Sequence, residues 1–129
     1  MNSRRSPISH DELKKEAIRA LDSLPAQFRR RLHNVVVTVE KRPKPSQLRA
    51  MGLDPREDTL YGLYEGIPLS ERSTFDPPAL PDKITIFAEP LLQDFPDPAE
   101  LREQVRITVL HEIAHFFGMD EDDIESLGY

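Results

Sequence analysis

Apolar residues recur at Leu13, Ala17, Ala20, Leu21 and Leu24, the three- and four-residue intervals that gather side chains on one side of a helix. Ser9 stands three residues before Glu12, a capping-box spacing, and Pro25 ends the run, so the pattern predicts a short amphipathic helix starting at Ser9. The period then changes. Val35, Val36, Val37, Thr38 and Val39 form a β-branched run too short for a helix and are followed by Pro43 and Pro45, which reads as a buried strand. Residues 41–58, rich in proline and charge, predict a long connection with one helical turn at 46–51. Two more strands are predicted at 60–67 and 83–88, separated by a proline-rich loop at 70–81. Gly62 and Gly66 mark places in the first of these where the backbone bends or another segment comes close.

The strongest helix lies in the last third. Asp97, Pro98 and Glu100 are in the preferred order for an N-cap and first turn, and Gly118 sits where a left-handed C-terminal cap belongs. Leu101, Val105, Val109, Ile113 and Phe116 form one apolar stripe. Ile107, Leu110, Ala114 and Phe117 fill much of the remaining circumference, so the pattern predicts a helix buried nearly all round. Residues 1–8 are expected to be a flexible N-terminus and residues 9–129 a single domain.

Composition narrows the chemistry. The chain has 129 residues and no cysteine, which excludes disulfides, thiolate metal sites and a cysteine nucleophile, and leaves four histidines and the carboxylates as the candidate metal ligands. The net charge of −6 is unevenly spread. Residues 1–56 carry thirteen basic and six acidic groups, and residues 57–129 carry four basic and seventeen acidic. The basic clusters, Arg29-Arg30-Arg31 and Lys41-Arg42 with Lys44, are short and lack interleaved aromatics, as on an ordinary solvated face. Arg4-Arg5 is followed by no apolar segment and no run approaches a spanning length, so the expectation is a cytoplasmic protein with no membrane partner.

Inside the predicted long helix stand His111, Glu112 and His115, an H-E-x-x-H arrangement. Two histidines four apart project from one helix face with Cβ atoms about 6 Å apart, close enough for both imidazoles to reach one zinc ion at about 2 Å. Glu112, one position round from His111, is placed to accept a proton from water acidified by that ion, the role of a general base. The alternative is a hydrogen-bonded core cluster without metal. A catalytic zinc takes a third protein ligand, and the segment after Gly118 is a cluster of carboxylates, Asp120 to Asp123. The same cluster also reads as a helix start, with Asp120 as N-cap and Asp123 in the first turn. His10 and His33 read as surface or satisfied histidines. Gln104 and Thr108 share the helix face of the histidine pair, as supporting partners or as its polar edge.

HEIAHFFGMDE resembles the extended H-E-x-x-H-x-x-G-x-x-H/D motif of metzincin-like zincins, and the chain as a whole is similar to short bacterial minimal zincin-like metallopeptidases over about residues 10–129. The resemblance implies an α+β, zincin-like fold, a small mixed β-sheet packed on helices with a buried active-site helix, one Zn2+, His111 and His115 as its first two ligands, Glu112 as catalytic base and Gly118 as the turn. The third ligand position falls on Glu121, where metzincins have His or Asp; Asp120 and Asp122 are the alternatives. The methionine turn of larger metzincins is missing, and Met119 reads as packing. In zincins an edge strand binds extended peptide by backbone pairing. The segment 60–67 is the candidate here, with Tyr61 or Tyr64 facing the cleft or, as ordinary sheet residues, half-buried.

The leading expectation is therefore a zinc metallopeptidase hydrolysing a peptide or protein substrate bound in extended conformation. A metal-dependent endoribonuclease on a related scaffold is the alternative from a second enzyme class. The glutamate after His111 and the acidic flank at 120–125, which repels phosphate, argue against it and against nucleic acid as a partner. A non-catalytic zinc-binding module is the third possibility.

Overall fold

The computed structural model describes residues 8–32, 34–66 and 82–127. Nine elements follow in chain order among them: helices α1 (His10–Asp22) and α2 (Ala26–Arg29), strand β1 (Val35–Glu40), helix α3 (Pro45–Ala50), strands β2 (Gly62–Glu65) and β3 (Asp82–Phe87), then helices α4 (Ala88–Asp94), α5 (Pro98–Phe116) and α6 (Glu121–Ser126). The fold is α+β. Its sheet has the order β1-β3-β2, with β1 parallel to β3 and β2 antiparallel to it, so it is mixed and β3 is central.

Local sequence accounts for the start of each long helix. Ser9 accepts from the Glu12 amide while the Glu12 carboxylate accepts from the Ser9 amide, the reciprocal capping box that fixes the first turn of α1. Leu13, Ala17 and Ala20 then face inward. At α5, Asp97 accepts from the Glu100 amide at 3.1 Å and Pro98 occupies the first helical position, where its missing N–H costs no intrahelical bond.

The core joins α1 and α5 to one face of the sheet: Leu13, Ala17 and Ala20 meet Val105, Val109 and Ile113, with Val37, Ile84 and Ile86 beneath. On the other face the buried Thr85 pairs its hydroxyl with Thr38 at 3.1 Å. This topology corrects the expectation of a buried β1. Only Val37 is fully buried and Val36 is 40% exposed, because β1 is an edge strand and the buried strand is the central one, β3. Segment 83–88 also ends earlier than predicted: Ala88 begins α4, with Pro90 at its third position, still within the turn whose amides lack intrahelical partners. α2 was not legible as a helix either. The loop predicted at 70–81, and the flexible N-terminus except Ile8, lie outside the described residues. No helix among those described is long and apolar enough to cross a membrane.

Candidate metal centre

α5 holds His111 and His115 one turn apart, with ring centroids separated by 4.7 Å. The helix is not buried all round as its composition suggested. Its inner side, from Leu101 to Ala114, packs on α1 and the sheet, while its last turns turn the histidines outward, His111 being 30% and His115 44% exposed in their side chains. Ile107, on the outer arc, lines a cleft rather than the core.

The helix stops where the third group is needed. Gly118 adopts φ +81°, its amide donates to the His115 carbonyl, and the Met119 amide reaches back to Ala114. That pair of bonds is the Schellman motif, and the positive φ is a conformation glycine adopts without Cβ strain. The chain reverses into α6, whose first turn is fixed by Asp120 accepting from the Asp123 amide at 2.9 Å, and whose Ile124 is completely buried. Glu121, the first residue of α6, is thereby carried back over the histidines. Its Oε1 lies 3.0 Å from Nε2 of His115 and 3.3 Å from Nε2 of His111.

His111, His115 and Glu121 form a group of potential ligand atoms all within 4.8 Å of one another. The donor set fits zinc: a tetrahedral ion with ligand bonds of about 2.0–2.1 Å separates its donors by roughly 3.3 Å. Three protein donors leave the fourth position for water or substrate. Asp120 is engaged as the cap of α6, and neither Asp120 nor Asp122 joins the group.

Glu112 is partly buried. Burial pushes its carboxyl above the ordinary glutamate range, opposed by a hydrogen bond from the Tyr64 amide and by the two histidines. The Tyr64 N–H donates to Oε1 at 3.2 Å across the gap between β2 and α5. The Tyr64 ring stacks on Phe116, with centroids 4.4 Å apart, and its hydroxyl donates to the buried Asp82 at 2.6 Å. Beside Glu112 and His111 opens a cleft of about 310 Å³, walled by Thr59, Leu60, Tyr61 and Gly62 on one side and Gln104, Ile107 and Thr108 on the other. Of the two tyrosines, Tyr61 lines this cleft, with its hydroxyl on Asp94, a bond that raises the Tyr61 pKa. Met119 lines an apolar crevice with Leu24, Phe28 and Leu127. His10 is exposed at the start of α1, apart from this group, and His33 lies outside the described residues.

Sequence reasoning did not identify the Tyr64 amide as a partner of Glu112 or Asp94 as a partner of Tyr61. The first is a backbone contact between segments 48 positions apart, which no side-chain pattern announces.

A conserved hypothetical protein from Thermo thermophilus shares the fold, with a TM-score of 0.54, 24% identity, and coverage of 93% of this chain and 97% of that one. None of the curated proteins matches the sequence. The model of the zincin-like metallopeptidase family matches residues 32–129, which span β1 through α6 and include His111, Glu112, His115 and Glu121. With three-quarters of its length matched by that model, the chain belongs to the zincin-like metallopeptidase family.

Proposed function

We propose that the protein is a zinc-dependent peptidase in which His111, His115 and Glu121 hold one metal ion and Glu112 is the general base. The observation that carries this reading is the convergence of two imidazole nitrogens and one carboxylate oxygen beside an enclosed glutamate at the mouth of a cleft. When bound, zinc supplies Lewis acidity, polarising the scissile carbonyl and bringing the pKa of water towards neutrality. Glu112 accepts the proton of the attacking water on the carboxylate oxygen that Tyr64 does not hold, and returns it to the leaving amine as the C–N bond breaks. Its raised proton affinity suits both halves of that exchange.

The substrate is an extended peptide lying along β2. That strand is an edge of the sheet, with β3 on one side and no strand on the other among the described residues; its outward Tyr64 N–H is held by Glu112, and its remaining outward backbone groups are the ones an added strand pairs with. The cleft offers its side chain a pocket with apolar walls at Leu60 and Ile107 and polar groups at Gln104 and Thr108.

The test is zinc content and hydrolysis measured together on the full chain and on Glu112→Gln. Wild-type protein loaded with zinc cleaves an unstructured protein or peptide mixture, and Glu112→Gln retains one equivalent of zinc with turnover reduced by at least about a hundredfold. Retained turnover in that variant removes Glu112 from its role, and a wild-type chain that binds zinc without cleaving any peptide favours the non-catalytic zinc module.

A further inference from the structure

The outer edge of β2 does more than border the cleft. Tyr64 gives its backbone N–H to Oε1 of Glu112, a residue on a different element, and no other backbone donor is recorded on that carboxylate among the described residues. The bond is possible because β2 runs unusually close to α5. A Cβ built on Gly62, two residues back on the same face of the strand, would stand 2.6 Å from Cγ2 of Thr108, one turn before Glu112 on the helix. A real Cβ does not stand at that distance, so a side chain at position 62 forces the Thr108 methyl or the strand itself to move, and the Thr85 carbonyl oxygen at 3.2 Å tightens the site further.

We infer that the edge of β2 is a positioning device for Glu112, the Tyr64 amide orienting its carboxylate and Gly62 setting the strand–helix spacing at which that hydrogen bond forms. The inference rests on the peptidase reading of the site and makes Gly62 and Tyr64 positioning residues for it. One carboxylate oxygen is pinned by the strand that the substrate would follow, which leaves the other turned to the reacting atoms. A displacement of about 1 Å in such a group costs on the order of a hundredfold in rate while leaving metal and substrate binding largely intact.

The experiment uses the zinc-loaded full chain labelled with 15N. Amide exchange at Tyr64 is compared between wild type, Glu112→Ala and Gly62→Ala, and zinc affinity and kcat on an unstructured protein substrate are measured for Gly62→Ala, Thr108→Ser and the double variant. Tyr64 exchange is expected to rise at least about tenfold in both single variants when its acceptor is removed or moved away. Gly62→Ala is expected to lower kcat about 10- to 100-fold with zinc affinity held within about threefold, and Thr108→Ser, which deletes the obstructing methyl, to restore most of that loss in the double variant. Equal Tyr64 exchange in wild type and Glu112→Ala overturns the inference even if Gly62→Ala does not fold. So does a Gly62→Ala variant with unchanged kcat, one whose zinc affinity falls in step with kcat, or a double variant no better than the single. A wild-type protein that cleaves nothing refutes the peptidase reading instead, and the exchange comparison still decides whether β2 holds Glu112.

Discussion

Oε1 of Glu121 lies 3.0 Å from Nε2 of His115, although the two side chains belong to different helices with a full chain reversal between them. A pairing made across a turn depends on the turn. On the proposed reading, the metal affinity of the site draws on three separate features: the helical spacing of the histidines, the left-handed glycine, and the packing of α6.

Removing the third donor tests the ligand set directly. Glu121→Ala is expected to weaken zinc binding by well over tenfold, because two histidines alone make an incomplete site. Glu121→Asp, one methylene shorter, falls between the two. Asp122→Ala is expected to leave affinity within about twofold, since Asp122 is outside the cluster, while Asp120→Ala costs about 1 kcal/mol of stability through the lost cap of α6. Competition with a chromophoric chelator and thermal melts separate these outcomes. An Asp122→Ala variant that lost zinc as Glu121→Ala does would move the ligand assignment.

At Gly118, φ is +81° and a Cβ would meet no atom within 4 Å, so the penalty for a side chain there is conformational and not steric crowding. Gly118→Ala is expected to cost about 1 kcal/mol in the metal-free protein and Gly118→Asn less, because asparagine tolerates the left-handed region better. The alanine variant also displaces α6, so its zinc affinity falls, whereas crowding would have predicted asparagine, the larger residue, to be worse. Melting temperatures of the two variants with and without zinc decide between these accounts.

Much of this candidate site is legible in the sequence. The helix caps, the histidine spacing and the glycine are local signals, and each specifies a conformation within one turn: Ser9 with Glu12, Asp97 with Pro98, Gly118 after His115. What escaped is what depends on neighbours distant in sequence. The valine run reads as buried because it is β-branched, yet its place in the sheet is set by pairing with β3, which leaves it at an edge. The apolar circumference of α5 predicted full burial, but composition cannot tell a core wall from a cleft wall, and Ile107 belongs to the second. Ala88 to Asp94 followed a strand without a break, so the strand pattern masked the helical start that Glu89 and Pro90 would otherwise signal.

The enclosure of Glu112 carries a stability cost with a definite pH dependence. Burial raises its pKa above the ordinary value of 4.5, so the folded metal-free protein holds the proton more tightly than the unfolded chain does. Folding is then favoured by this group at pH below about 4.5 and loses that contribution as pH rises through the elevated folded value. Glu112→Gln, neutral at every pH, is expected to melt higher than wild type near neutrality in the presence of a chelator, and the gap is expected to close on acidification. Melts of both proteins from pH 4 to 8 check this, and a gap that widened towards acid would reverse the sign assigned to the burial.

The packing of α6 makes the last link between core and chemistry. Ile124 is completely buried, while every other residue of that six-residue helix is exposed, so this one side chain docks the element that carries Glu121. Ile124→Ala removes the anchor at a cost of about 2–5 kcal/mol. A helix so short has no stability of its own, and once undocked it no longer holds Glu121 against the histidines. The variant is therefore expected to lose zinc affinity at least tenfold although Ile124 is not one of the three donors. Its thermal stabilisation by zinc, which grows with the logarithm of affinity, shrinks by about 1.4 kcal/mol for each tenfold loss. A variant that melted lower but kept wild-type affinity would show that the ion itself, and not Ile124, seats α6.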